Sequence, residues 1–232
     1  MRRPTVVLLA AVLALGGCSL LGPDTMEDLR NRGGGAGGCR VFDSLDDLLG
    51  NTSYRVGDAA ARPLTVAVVV GRFDSVRPGR AFVVPGGDAP GGQATDFDAS
   101  DAVWKTLHAT FSVEQVLSGN AQVGEQLAVG LAFGPDASPS GAERDLTGLG
   151  TVVLFLDESA VFAYDPDLHG TAADGSLITV VAEDGRLSLP GRDPDEARAL
   201  LSATPTLDSL EAAAARPPRT VVTDPTGCSA VA

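Results

Sequence analysis

The sequence predicts a mainly β fold, an antiparallel barrel or sandwich of seven or eight strands. Two observations predict it. Short runs of β-branched and aliphatic residues recur through the chain with glycine, proline and aspartate between them, and the longest run, beginning at Trp104, alternates apolar and polar side chains. Alternation with a period of two and regularly spaced turn residues are typical of all-β folds.

The first seventeen residues have the pattern of a cleaved signal peptide. Arg2 and Arg3 precede an uncharged, mostly aliphatic run at residues 5–15. As a helix this run would span only about 16 Å, whereas a bilayer core is about 30 Å thick. A charged start, an apolar middle and small residues at the end indicate secretion.

The signal ends in Leu15-Gly16-Gly17-Cys18. This motif resembles the lipobox of bacterial lipoproteins, in which the cysteine receives a diacylglyceryl group and becomes the first residue of the mature chain. A thiolate is a good nucleophile, and two acyl chains, at about 0.8 kcal/mol per methylene, give a stable anchor. The resemblance implies palmitate-type lipidation at Cys18 and attachment to the extracytoplasmic face of a cell membrane. The alternative is that Cys18 ends a conventional signal peptide or packs as a small hydrophobe.

The charge of the chain disfavours one class of partner. Thirty acidic side chains against seventeen basic ones give a net charge of −13, which becomes −15 once Arg2 and Arg3 leave with the signal. Nucleic-acid binding requires a basic face that neutralises phosphates, and adsorption to anionic lipid has the same requirement. The sequence therefore predicts no nucleic-acid partner, and membrane attachment through the acyl chains alone.

With Cys18 lipidated, Cys39 and Cys228 remain in an exported protein, where disulfides persist. We predict a disulfide between them, closing a loop around nearly the whole folded body. The alternatives are two free thiols or intermolecular pairing. Residues 18–38 end in a glycine-rich run and are expected to form a tether, which leaves residues 39–232 as a single domain.

Seven or eight strands and a few short helices are expected within this domain. The strands are predicted at residues 63–76, 81–84, 104–117, 125–133, 151–156, 160–164, 177–182 and 186–189, with turns at 77–79, 118–120 and 183–185. Two long connections, residues 85–101 and 134–148, are where recognition is expected first.

The helices flank the barrel. A short one is expected at residues 44–50, with Asp43 or Ser44 as N-cap and Gly50 as C-cap. The C-terminal helices occupy about residues 193–215. The sequence Asp193-Pro194-Asp195-Glu196 begins the first of them, and a second runs from residue 206 to 215.

Four segments, residues 66–73, 109–119, 124–129 and 149–156, appear in an order that resembles extracytoplasmic bacterial domains similar to the OB-fold barrel of the tissue inhibitors of metalloproteinases. The resemblance covers roughly residues 60–190 and implies an OB-like, closed or partly open barrel. The inhibitors chelate the protease zinc through a free N-terminal cysteine. Here the mature terminus would be acylated and Cys39 is internal, so that inhibitory mechanism is not expected.

No catalytic, metal or cofactor site is predicted. His108 and His169 are the only histidines, and neither has a second metal ligand at a recognisable spacing. His108 falls on the polar face of a strand, where a solvent-facing or hydrogen-bonded role is favoured.

Two acidic segments are interpreted in the same way. Residues 165–170 resemble the start of a calcium loop, but Ser176 stands where a bidentate glutamate is required, so turn chemistry is favoured. Asp96, Asp98 and Asp101 indicate a solvated loop, with weak calcium binding as the alternative.

The sequence therefore favours a non-catalytic binding or protein-interaction module, anchored by lipid and facing an envelope partner. The alternative is a cell-envelope hydrolase that uses carboxylates. A deep cleft holding two carboxylates with raised pKa values would favour the enzyme.

Overall fold

The computed structural model describes Thr25 and residues 42–56, 58, 60–83, 93–158, 165 and 167–223. Leu15, Gly16, Gly17, Cys18, Cys39 and Cys228 lie outside these residues, as does the strand expected at 160–164. Lipidation and the disulfide therefore stay predictions. No helix in the described part of the chain is both long and apolar enough to cross a bilayer.

The fold is mainly β, with strand content of 43% against 19% helix. The strands are β1 (Thr52–Val56), β2 (Ala67–Val83), β3 (Gln93–Thr95), β4 (Trp104–Gly119), β5 (Gln126–Phe133), β6 (Val152–Asp157), β7 (Leu168–Thr171), β8 (Thr179–Val181), β9 (Leu187–Ser188) and β10 (Arg219–Thr223). The α-helices are α1 (Pro139–Thr147), α2 (Pro194–Leu200) and α3 (Leu207–Ala214), and short 3₁₀ helices lie at Leu45–Leu48 and Ala172–Gly175.

Five strands form a ring in the order β2, β4, β5, β7, β6 and back to β2. The pairs are antiparallel except β5–β7, which is parallel. Only two residue pairs join β7 to each neighbour, so the ring is barrel-like and partly open. With β3 beside β2, β8 beside β6 and β9 beside β8, the sheet has eight strands. The predicted OB-like barrel is confirmed.

Strand β2 is longer than expected, because the turn predicted at residues 77–79 is wrong. The chain continues through Pro78 and Gly79 as an irregular strand paired with β4, and the register shifts between Pro78 and Ala81. Proline and glycine are tolerated in strands at such bulges. Strand β2 pairs with β4 along most of its length and with β6 from Ala67 to Gly71.

Two apolar clusters pack against opposite faces of β2 and β6. Val69 and Leu154 point into the barrel, where they join the inward side chains of β4 and β5. Val68 and Phe155 point outward and pack under the first 3₁₀ helix, α2 and α3. Strands covered on both faces read as continuous apolar runs, which explains the uninterrupted aliphatic sequence of residues 66–70.

Helix α1 caps one end of the barrel and replaces the long connection expected at residues 134–148. Ser138 is its N-cap and accepts a hydrogen bond from the Gly141 amide, and Pro139 occupies the first turn. Ala142 and Leu146 are buried in the barrel core. The other long connection contains the short strand β3 at its described end.

The two ends of the domain meet in a small parallel sheet, which the sequence did not predict. Strand β1 pairs with β10 from Thr52↔Arg219 to Val56↔Thr223. The Asn51 side-chain amide donates to the carbonyls of Ala213 (2.8 Å), Ala214 (3.3 Å) and Arg216 (3.1 Å), which lie at the end of α3.

An ion-pair network reinforces this junction. Asp46 is buried between Arg216 (3.2 Å) and Arg219 (3.6 Å), and Arg219 also contacts Asp47 at 2.6 Å. We call the group Asp46, Asp47, Asn51, Arg216 and Arg219 the clasp.

The turn expected at 118–120 is wrong in its first two residues, because Ser118 and Gly119 belong to β4 and pair with Val68 and Ala67 of β2. The other helix and turn predictions are largely confirmed. The helices before and after the barrel are present, with Ser44, Asp193 and Thr206 as N-caps. The C-cap of the first is Leu49 rather than Gly50. The turn at 183–185 is confirmed by the positive φ of Gly185 (79°). Within the expected tether, Thr25 is buried and its hydroxyl donates to Asp145 of α1 at 2.8 Å.

Candidate functional site

The candidate site lies on the outer face of the barrel, where the second half of β2 pairs with the first half of β4. Leu107, Ala109 and Phe111 point into the barrel core, as the alternation predicted. The intervening side chains of Trp104, Thr106 and His108 therefore point outward. Thr106 is fully buried and His108 is 6% exposed, so this face is not open to solvent at these two positions.

Gly79 explains part of this burial. At the bulge its backbone passes over β4 so closely that a Cβ at this position would lie 2.7 Å from His108 Cδ2 and Nε2 and would also collide with Thr106 Oγ1. Thr106 Oγ1 accepts a hydrogen bond from the Arg80 amide (2.8 Å) and donates to the Arg80 carbonyl (3.2 Å). The threonine thereby satisfies the backbone groups that the bulge withdraws from the ladder.

His108 has an unusual electrostatic environment for a strand residue. Burial lowers its pKa from 6.5, and the positive charges of Arg77 and Arg80 lower it further, against a smaller opposing influence of Asp165. The imidazole is therefore neutral at physiological pH, with one donor and one acceptor nitrogen. The sequence placed His108 correctly on this face but gave no sign of its burial.

The neighbouring strand adds no bulk to the site. Across β4 from Thr106, His108 and Thr110, the β5 partners are Ala132, Gly130 and Ala128. On the other side, Arg77 is the partner of His108, and both Arg77 and Arg80 are exposed. The outer face therefore combines buried polar side chains on β4, small residues on β5 and the exposed guanidinium groups of Arg77 and Arg80 on β2.

An aromatic pair lies at the end of the same face. Phe82 and Trp104 are cross-strand partners whose rings stack at 3.7 Å between centroids with an interplanar angle of 1°. Phe82 is buried, whereas Trp104 is partly exposed. On the inner side of the strand, the Lys105 ammonium lies 4.7 Å from the centre of the Phe97 ring.

The acidic segments are turns in this structure. The Asp165 carboxylate accepts from the Asp167 amide at 3.2 Å, which closes an Asx turn immediately before β7, and His169 belongs to that strand. Asp96, Asp98 and Asp101 are exposed in the turn that enters β4. Across the described residues, no three Asp, Glu, His or Cys side chains converge as a metal site would require.

The clasp encloses a cleft of about 120 Å³ lined by Asp46, Asn51, Ala213, Arg216, Pro217 and Arg219. Ligand pockets are larger, at roughly 300–1,000 Å³. The charged groups of the cleft are already paired with one another. Burial, and after it the charge of Asp47, raises the pKa of the adjacent Tyr54 phenol. We assign this region a structural role.

The carboxylates with perturbed pKa values do not form an acid–base pair. Burial raises the pKa of Asp145, but hydrogen bonds from Thr25 and Arg144 outweigh it and lower the pKa overall. The Arg186 amide lowers the pKa of the exposed Asp184 carboxyl. Both shifts run opposite to the raised pKa that a general acid needs at neutral pH.

Sequence reasoning missed the β2 half of this site. Arg77 and Gly79 were assigned to a turn and Arg80 to the gap before the next strand, although the apolar positions Val76 and Ala81 on either side of them continue a strand pattern. The sequence did contain a signal for a continuous strand, because a Pro-Gly pair such as Pro78-Gly79 also occurs at bulges within strands. Comparison of the chain with protein-family models, curated proteins and solved structures finds no match.

Proposed function

We propose that this chain is a lipid-anchored lipoprotein of the cell envelope whose OB-like barrel is a non-catalytic binding module. One observation carries the binding role. The outer face of β2 and β4 gathers Arg77 and Arg80 around buried His108, beside the partly exposed Trp104. Polar groups fixed on rigid strands suit recognition, because little order has to be created on binding.

The position of this face supports the same role. In OB barrels, ligands generally lie across the second and third strands of the ring and the connections that flank them. Here those strands are β4 and β5, and the candidate site occupies the outer face of β4. The ring order and the helix between β5 and β6 also support kinship with the extracytoplasmic domains similar to the tissue inhibitors of metalloproteinases. Fold kinship transfers architecture rather than activity.

The lipid anchor explains how an acidic domain would be retained at a membrane. With a net charge of −15 after signal removal, the mature chain gains nothing from electrostatic adsorption to anionic lipid. Two acyl chains on Cys18 would supply the attachment instead. The envelope-hydrolase alternative needs a pair of carboxylates with raised pKa values, and no observation favours it.

Photocrosslinking tests the binding face. A benzophenone side chain replaces Arg77 in one full-length variant and Arg198 in the other, and both are expressed in a bacterium. Arg198 is a matched control because it is a well-exposed arginine (76%) on α2. We expect adducts in the membrane fraction from position 77 and none from position 198. Equal yields from both positions, or none from either, would contradict the proposed face.

A further inference from the structure

We propose that the binding face takes a neutral oligosaccharide, with one sugar ring stacked on Trp104. This inference rests on the proposed function and names the ligand class of the same site. It starts from a ring held in a fixed orientation: Phe82 supports Trp104 from the adjacent strand at 3.7 Å and 1°. An aromatic ring fixed by its neighbour offers a flat apolar surface at small entropic cost.

The side chain of Trp104 is partly exposed, whereas that of Phe82 is buried. Lys105 pairs with Phe133, the last residue of β5, and Gly134 follows directly. Gly134 has no side chain to cover the indole, whereas Phe82 covers the β2 side. The C–H faces of a pyranose ring are apolar and match such a surface in size.

The polar groups around the ring suit hydroxyls rather than phosphates. Asp96, Asp98 and Asp101 are exposed in the turn that leads directly into Trp104, and Arg80 and Arg77 follow along the neighbouring strand. Carboxylates only accept hydrogen bonds and guanidinium groups only donate them. A sugar hydroxyl does both, so one saccharide chain can engage each set.

Charge selects among the ligands that OB barrels bind. Oligonucleotides and oligosaccharides are the general choices for this architecture. The net charge of −13 and the three exposed carboxylates in the turn before β4 repel a polyanion. A neutral saccharide carries no such penalty.

Trp104 is the only tryptophan in the chain, so its fluorescence reports directly on this site. The full-length chain in detergent micelles is titrated with the tetramers of N-acetylglucosamine and of glucose, and separately with a galacturonate tetramer and an oligothymidylate. We expect a neutral tetramer to shift the emission saturably, and both anions to leave it unchanged. An anion-induced saturable shift, or no saturable shift with either neutral tetramer, would overturn the assignment.

Variants separate stacking from structural support. By calorimetry, Trp104→Ala should weaken the binding of the responding tetramer at least roughly tenfold, equivalent to about 1.4 kcal/mol. Trp104→Phe should keep most of the affinity, because it retains a ring on Phe82. Val103→Ala, which alters an exposed apolar neighbour (45% exposed), is the control and should bind normally.

The outcomes distinguish the two proposals. If Trp104 only buttresses Phe82, Trp104→Ala lowers the melting temperature and leaves saccharide affinity unchanged, which overturns this inference. If crosslinks form at position 77 while no neutral tetramer affects Trp104, the binding module stands and its ligand is not a neutral saccharide.

Discussion

At the scale of single residues, the site depends on a glycine that allows two strands to approach closely. Gly79 lies over Thr106 and His108, where a hydrogen on its Cα fits and a Cβ would collide with both side chains. A methyl group must displace either the β2 backbone or the His108 ring. Buried overpacking of this kind typically costs about 1–3 kcal/mol.

We therefore expect Gly79→Ala to lower the free energy of unfolding by about 1–3 kcal/mol in urea denaturation. Gly141→Ala in α1 is the matched control, because the added Cβ would lie 3.4 Å from its nearest neighbour, in ordinary contact. Helix propensity predicts that this control gains up to about 1 kcal/mol. Equal stability of Gly79→Ala and the natural chain would show that the bulge does not pack as described.

His108 should make stability depend on pH. Because burial and the neighbouring arginines lower its pKa in the folded state, the unfolded chain binds a proton below about pH 6.5 that the folded chain resists. Stability therefore falls as the pH drops through 6.5 towards the folded-state pKa, by at most about 1.4 kcal/mol per pH unit for one proton.

Urea denaturation between pH 7.5 and about pH 5 measures this effect. We expect His108→Gln to flatten the pH dependence of the unfolding free energy in this range. His169→Gln, at the other histidine, controls for removing an imidazole elsewhere in the chain. An unchanged slope in His108→Gln would mean that His108 titrates alike in both states.

At the scale of secondary-structure elements, the clasp joins the beginning of the domain to its end. Asn51 lies just before β1, and its side-chain amide donates hydrogen bonds to carbonyls at the end of α3. The last carbonyls of a helix have no partner within the helix. One side chain therefore both finishes α3 and attaches it to β1.

We expect Asn51→Ala to destabilise the domain by about 1–3 kcal/mol. The change removes the bonds that join the end of α3 to β1 and takes this donor from the part-buried Ala214 carbonyl, whereas the Ala213 carbonyl keeps its bond from the Arg216 amide. Asn120→Ala, at an exposed turn position, should change stability by no more than about 0.5 kcal/mol. Thermal unfolding monitored by circular dichroism compares the two. Indistinguishable midpoints for both variants would remove the clasp from the account of stability.

Local signals were sufficient to predict the elements with strong caps or strong alternation. Asp193-Pro194 and Thr206 each begin a helix as expected. In β4, polar and apolar residues alternate from Thr106 to Val113. Helix α1 was missed because Pro139 and Gly141 suggested a loop, although Ser138-Pro139 also has the form of an N-cap followed by a first-turn proline.

The local sequence pattern did not predict contacts between segments that are far apart in the chain. Strands β1 and β10 are five residues each, contain charged or polar positions, and pair across most of the chain. Nothing within either segment specifies the other. The β4 half of the candidate site could be predicted from the sequence and the β2 half could not. The burial of His108 depends on Gly79, a residue of another strand.

At the scale of the whole molecule, the first and last strands of the described domain lie side by side, whereas the two predicted covalent features involve residues outside the described part. Strands β1 and β10 pair in parallel. Cys39 precedes β1 and Cys228 follows β10, both outside the described residues, so the disulfide stays a prediction. Thr25 contacts α1 only seven residues after Cys18. An extended segment of that length spans at most about 25 Å, so an anchored Cys18 would keep the α1 end of the barrel near the bilayer.

Lipidation of Cys18 is the claim that places the binding face at a membrane, and metabolic labelling tests it most directly. Cells expressing the natural chain, Cys18→Ser or Cys39→Ser are grown with radiolabelled palmitate, and the protein is recovered from membrane and soluble fractions. We predict label and membrane retention for the natural chain and for Cys39→Ser, and loss of both for Cys18→Ser. An unlabelled natural chain, or a Cys18→Ser chain that fractionates with membranes as before, would contradict the account.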